Sequence, residues 1–264
     1  MNAIRGEVVR LFSTRLPLWS LLVAIGCGGI LTAVIALIGP ENANPPMPGL
    51  DTPEGAGLAV GLSAMLLFVP ALIGTVAITS EYRHRTIGTT FLAVPRRGRV
   101  LVAKLGVYTL FGLLYGLVAA GSTGIALVLA AAVRDVQLGI TTGQLVTMLA
   151  QLALASTVYM VLGVAIGALA RNQLVAVGIV LGYFYFLENV LMLVPGVNVI
   201  YPLLPGGATA SLTRFTFLTD AVAEQTSLAS APLLPPLIGV LILLGYTLVA
   251  SVVAVAAPLR RDLA

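Results

Sequence analysis

Residues 81–104 read EYRHRTIGTTFLAVPRRGRVLVAK, a charged island set between long apolar runs. The island holds Arg83, Arg85, Arg96, Arg97, Arg99 and Lys104, nearly half of the 14 basic residues. Such an island fixes how a chain threads a bilayer, and it offers a docking surface on the side where it lies. Working outward, hydrophobic residues make up 59% of the chain and charged ones only 9%. Mean hydropathy is +1.05, whereas a soluble domain carries about 25% charged residues. The composition describes an all-α integral membrane protein with one membrane domain over residues 1–264. The net charge of +4 is that of basic span ends and implies no nucleic-acid partner.

Crossing the hydrocarbon core takes roughly 20 apolar residues in a helix. Six segments meet that length: about 18–39, 58–80, 105–132, 144–170, 173–194 and 234–258. Their apolar residues run continuously rather than alternating, which predicts helices and not barrel strands. Basic residues near span ends place the N-terminus, the island, Arg171, Arg260 and Arg261 on the cytoplasmic side, with Glu41, Asp51, Glu54, Asp135, Asp220 and Glu224 outside. An even number of spans puts both termini in the cytoplasm. The run from Leu18 to Ile38 is longer than a signal-peptide core of about 7–15 residues and reads as a retained first span. Ahead of it, Ile4, Val8, Leu11 and Phe12 recur at helical spacing while Glu7, Arg10 and Thr14 fall elsewhere. That pattern predicts an amphipathic helix lying in the inner interface, apolar face in lipid.

Arg171 and Asn172 alone link the fourth and fifth spans, so these form a tight hairpin. Gly163 and Gly167 on one arm, and Gly178 and Gly182 on the other, have the spacing at which small residues let helices approach closely. Gly112 with Gly116, and Gly57 with Gly61, repeat it. Residues 195–232 form an external segment of another kind. VNVIYPLLPGG is too short to span and is broken by Pro202 and Pro205, which suggests a re-entrant or interfacial hairpin. Ser211 to Ala229 then read as a short amphipathic element at the outer surface.

The chemistry is narrowed mainly by exclusion. Lys104 is the only lysine and follows Ala103, so there is no Gly-Lys pair and no phosphate-cradling loop. The lone histidine, His84, lies in the island, which leaves no histidine metal cluster and no Ser/His pair within the spans. The chain is not read as an enzyme, and it calls for no cofactor of its own. Glu188, in YFYFLENVLM, is the one acid near a span interior. One reading makes Tyr183, Tyr185, Glu188 and Asn189 part of a substrate path that recognises a cation. The other makes Glu188 an acid that reaches outer water or is capped by a neighbouring helix, with the aromatics in packing or an interfacial belt. In the island, Ile87, Phe91 and Val94 share a helix face that Arg85, Thr86 and Thr89 do not, which is more organisation than a loop serving topology alone requires.

Glu81, then Arg85-Thr86-Ile87-Gly88-Thr89, then Pro95-Arg96-x-x-Arg99 and Lys104 resembles the segment between the second and third spans of type-2 ABC transporter permeases. The resemblance implies a permease that dimerises with a second copy or a related permease and binds two separate ABC ATPase subunits, which hold ATP and magnesium. It makes Arg85, Thr86, Ile87, Gly88, Thr89 and Phe91 a coupling helix, with Glu81 its anchor and Pro95 resetting the chain. Residues 197–212 would match the family's re-entrant hairpin. The expected protein is a multi-pass exporter of the cell membrane, carrying a hydrophobic or amphipathic drug, lipid or peptide. Two other readings stay open: a membrane assembly or sensory subunit docking a cytosolic regulator, and a secondary transporter. The latter is disfavoured by the lack of central ionisable residues and of paired broken helices.

Overall fold

Backbone amides and carbonyls in hydrocarbon must be paired within their own segment, and apolar runs of this length meet that demand as helices. The computed structural model describes residues 3–44, 46–84, 97–192, 194, 198–217, 219–220 and 233–256. Among these there is no strand. Helix α1 covers Ala3–Phe12. Helix α2 covers Leu16–Ile38, with a π-helical turn at Gly26–Ile30, and α3 covers Pro53–Arg83, tightened to 3-10 geometry over Leu62–Leu66. Helix α4 covers Arg97–Val133 and α5 covers Thr142–Ala170. Helix α6 runs over Gln173–Leu181, passes a π-helical stretch at Gly182–Leu187 and ends in Glu188–Met192. After a 3-10 turn at Asn198–Leu203 come α7, Pro205–Thr213, and α8, Pro236–Ala256.

Five of these helices (α2, α3, α4, α5 and α8) are long and apolar enough to cross a membrane. The fifth expected span, 173–194, is instead the interrupted α6, whose apolar part is shorter. The ends also differ from expectation for physical reasons. Thr52 caps α3 by accepting from the Gly55 amide, and Pro53 occupies the first turn, where its missing N–H costs nothing, so the helix starts ahead of residue 58. Helix α4 starts inside the island, eight residues before the expected 105, which puts Lys104 within a helix rather than at its mouth.

Helix α5 is the spine. Some 83% of its most apolar window is buried, against 22% for α2 and for α8. Small residues seat it between α3 and α4. A Cβ at Gly74 would run into the Met160 carbonyl, one at Gly163 into the Ala71 carbonyl, and one at Gly116 into the Ala153 carbonyl. Thr75 adds a bond to the Gly163 carbonyl at 3.2 Å. The expected close approach at Gly178 and Gly182 is not made among the described residues: a Cβ at either would have none of their atoms within 4 Å. Gly163 and Gly167 therefore serve α3 and not the other arm of the hairpin. Hydroxyls bridge α2, α3 and α4, with Thr32 Oγ1 3.2 Å from Ser63 Oγ and that oxygen 3.3 Å from Thr123 Oγ1. Arg171 turns the α5–α6 corner in the left-handed region (φ 56°), and the Asn172 side chain caps α6 by accepting from the Leu174 and Val175 amides.

Proline sets the last departure. Pro205 opens α7, and the helix is buried from Gly207 through Leu212. Ser211 and Leu212 thus belong to a packed helix rather than to a surface element. Residues 221–229 of that expected element lie outside the described residues.

Candidate functional site

The ends of α1, α3 and α4 meet at a buried cluster of charges. Lys104, 1% exposed, sits on α4, where its ammonium lies 2.6 Å from Glu7 Oε2 and 2.6 Å from Glu81 Oε1. Its third proton points at the Ala77 carbonyl, 3.3 Å away. Arg10 closes the ring from α1, 2.6 Å from Glu81 Oε1 and 3.3 Å from Glu7 Oε1. Two acids and two bases make the cluster neutral. A buried ionic group is tolerable only with such partners, because removing an isolated charge from water costs far more than one contact returns. Tyr108 lies beneath, its ring centroid 5.9 Å from the ammonium.

Helix α1 therefore turns Glu7 and Leu11 inward while Ile4 and Phe12 stay exposed. Leu11, expected on the lipid face, joins the protein face because Glu7 one turn earlier is drawn to Lys104. Spacing alone missed this cluster. The available signal was that the only lysine and two acids sit at helix ends on one side of the bundle. Of the residues expected to carry coupling, Glu81 is in the cluster. Arg85, Thr86, Ile87, Gly88, Thr89, Phe91 and Pro95 lie outside the described residues.

A second site lies toward the opposite end, about 22 Å along α6 from Gln173 at the usual rise per residue. Glu188 is 2% exposed there. Gly206, in the first turn of α7, donates its amide to Glu188 Oε1 at 2.5 Å. The carboxylate lies flat against that glycine, where a Cβ would come within 3.0 Å of its carbon. Of the two readings of this acid, capping by a neighbouring helix is the contact observed. A helix N-terminus suits a carboxylate through its free amides and dipole. Glu188 lines a cavity of about 100 Å³ together with Tyr159, Tyr185, Tyr201, Thr209 and Phe215. Tyr185 accepts the Phe68 amide at 2.9 Å and packs edge-on against the Phe68 ring. Tyr183 is not among the residues lining the cavity; its ring stands edge-on to Phe184 at 5.3 Å. The side chain of Asn189 lies outside the described residues.

The sequence profile of the ABC-2 family transporter proteins matches residues 11–189. The chain belongs to that family. The match takes in about two thirds of the chain, including Glu81, Lys104 and Glu188. Among curated proteins none matches. As an ABC-2 family member the chain is the membrane permease component of an ABC transporter, a multi-pass membrane protein whose family works with an ABC ATPase.

For an ABC-2 permease the distance between the two sites is informative. Helix α3 carries Phe68, which holds Tyr185, and thirteen residues later Glu81, which holds Lys104. That is about 20 Å of one helix, locked to α5 between the two ends. The described residues contain no group of three or more His, Cys, Asp or Glu able to hold an ion.

Proposed function

We propose that this permease is the transmembrane subunit of an ATP-driven exporter in the plasma membrane, carrying a hydrophobic or amphipathic compound. It would dimerise with a second permease, and the partner ATPases would hold ATP and magnesium. In this reading the membrane is crossed six times, with α6 counted as a span, and the Lys104 end faces the cytoplasm. The observation that carries the proposal is the ionic cluster, which fastens α1, α3 and α4 to one another at the two borders of residues 85–96.

A force applied to that segment by a closing ATPase would reach both α3 and α4. Because Lys104 ties Glu81 to Glu7, the two helices and α1 would shift as one body instead of slipping past each other. Coupling through Arg85–Phe91, with Glu81 as its anchor, is the role assigned to the island. Residues 198–213, broken at Pro202 and Pro205, would close the path on the outer side. Tyr185 and Glu188 would line it.

The test is co-purification with a candidate ABC ATPase, followed by transport and ATP hydrolysis in proteoliposomes. Substituting Gly88 and Thr89 together with bulky residues is expected to abolish substrate-coupled hydrolysis while the permease remains folded. Unchanged coupling in that double variant, or failure of the two proteins to associate, would sink the reading.

A further inference from the structure

We propose that the cavity at Glu188 is a binding site for the ammonium head of a cationic amphiphile. This deepens the exporter reading and rests on it for the cavity's place in a transport path. The argument starts from an oxygen. Glu188 Oε1 accepts the Gly206 amide, but Glu188 Oε2, buried in the same cavity wall, accepts no hydrogen bond among the described residues. No described lysine or arginine pairs with this carboxylate, in contrast to Glu7 and Glu81. Buried polar atoms are rarely left in that condition.

Two of the hydroxyls around it are already committed. Thr209 donates its one proton to the Pro205 carbonyl at 2.7 Å. Tyr159, 2.8 Å from Thr209 Oγ1, must therefore donate into it. Neither has a proton left for Glu188, no bond from the Tyr185 or Tyr201 hydroxyl to Oε2 is made among the described residues, and a donor from outside would fill the place. The lining is also aromatic, with Tyr159, Tyr185 and Tyr201. A carboxylate among aromatic rings is the surrounding that suits an alkylammonium: the charge meets Oε2 and the ring faces attract the cation. About 100 Å³ holds a small cationic head, and Phe215 and Met65 supply apolar surface for the chain behind it.

The experiment uses the purified full chain without any ATPase, so its failure is separable from failure of the exporter reading. Octylammonium and octanol are titrated in non-ionic detergent. The ammonium is expected to bind at least about tenfold tighter, the worth of one charge-assisted contact. Glu188→Gln keeps an acceptor for Gly206 and should erase that preference. Equal binding of amine and alcohol by the wild type overturns the proposal, as does a preference that survives in E188Q. Should E188Q not fold, an octylamine carrying a diazirine decides on the wild-type chain. Label on the peptides of Met65, Tyr185 or Tyr201 supports the site; label confined elsewhere overturns it.

Discussion

Two sets of buried acids stand about 20 Å apart along the same helix, α3, one at its end and one beside its midpoint at Phe68, and they are solved in opposite ways. At the end Glu7 and Glu81 share Lys104 and Arg10, so every charge has a counter-charge within 3.3 Å. Beside the midpoint, Glu188 has a backbone amide on one oxygen and no partner on the second among the described residues. Glu81 Oε2 is likewise without a hydrogen bond among the described residues, but two cations neutralise its carboxylate and fasten the helices together. An acid half satisfied by a helix terminus keeps one valence open. The first arrangement suits a mechanical joint, the second a place where something binds.

The largest expected effect comes from opening the closed ring. Lys104→Met would leave two buried carboxylates sharing Arg10 alone, one negative charge in excess, and breaking a buried pair costs about 3–5 kcal/mol. Thermal unfolding of the detergent-solubilised chain should show a severe loss. Neutralising the three buried members, in E7Q/E81Q/K104M, leaves only Arg10, whose side chain is 40% exposed and can reach water, and should recover much of it, because the penalty is the excess buried charge rather than a missing bond. If the triple variant is as unstable as K104M, packing of the Lys104 stem outweighs charge and the contrast between the two sites weakens.

A smaller effect is expected where the two sites are joined. Gly163→Ala places a methyl group on the Ala71 carbonyl, with no flexible side chain there to give way. Overpacking of this sort costs about 1–3 kcal/mol. Gly178→Ala adds the same methyl group to open space and should be neutral or slightly stabilising. With a partner ATPase present, G163A should also lower substrate-stimulated ATP hydrolysis, since α3 would no longer ride on α5. Equal stability of G163A and G178A would remove α3 as a rigid link between the sites.

How much of this was legible in the sequence varies with the kind of signal. Apolar run length is additive along the chain, so the helices α2, α3, α4, α5 and α8 could be read directly, and the two-residue corner at Arg171 with them. Helix ends were harder. The start of α4 lies within the charged island, and hydropathy does not distinguish a charged helical turn from a loop. Gly163 and Gly178 look alike as sequence, and only the third dimension tells which one faces a neighbour. Glu188 stood out because an acid in an aromatic span is rare. Glu7 did not, because an acid on an amphipathic helix is ordinary until Lys104, 97 residues away, is found beside it.

The smallest effect supplies the control for the ring of charges. Glu41 and Arg134 pair at the end of the bundle away from Lys104, with side chains 39% and 20% exposed. The hydrogen bond from Arg134, the largest cause, holds the Glu41 carboxyl below its ordinary value of 4.5. A lowered carboxyl pKa stabilises the folded chain above the unfolded value and loses that contribution as pH falls through the folded one. The pair's share is therefore present at neutral pH and disappears as the solution is acidified below about 4.5. Being exposed, it is worth about 0.5 kcal/mol or less. Glu41→Gln should lower the unfolding temperature only slightly at pH 7, and the difference from wild type should vanish at low pH and in 1 M salt, where screening is short-ranged. The loss in K104M should persist in the same salt, because buried charges are screened much less. If salt rescues K104M as readily as it cancels E41Q, the cluster is open to water and is no closed joint.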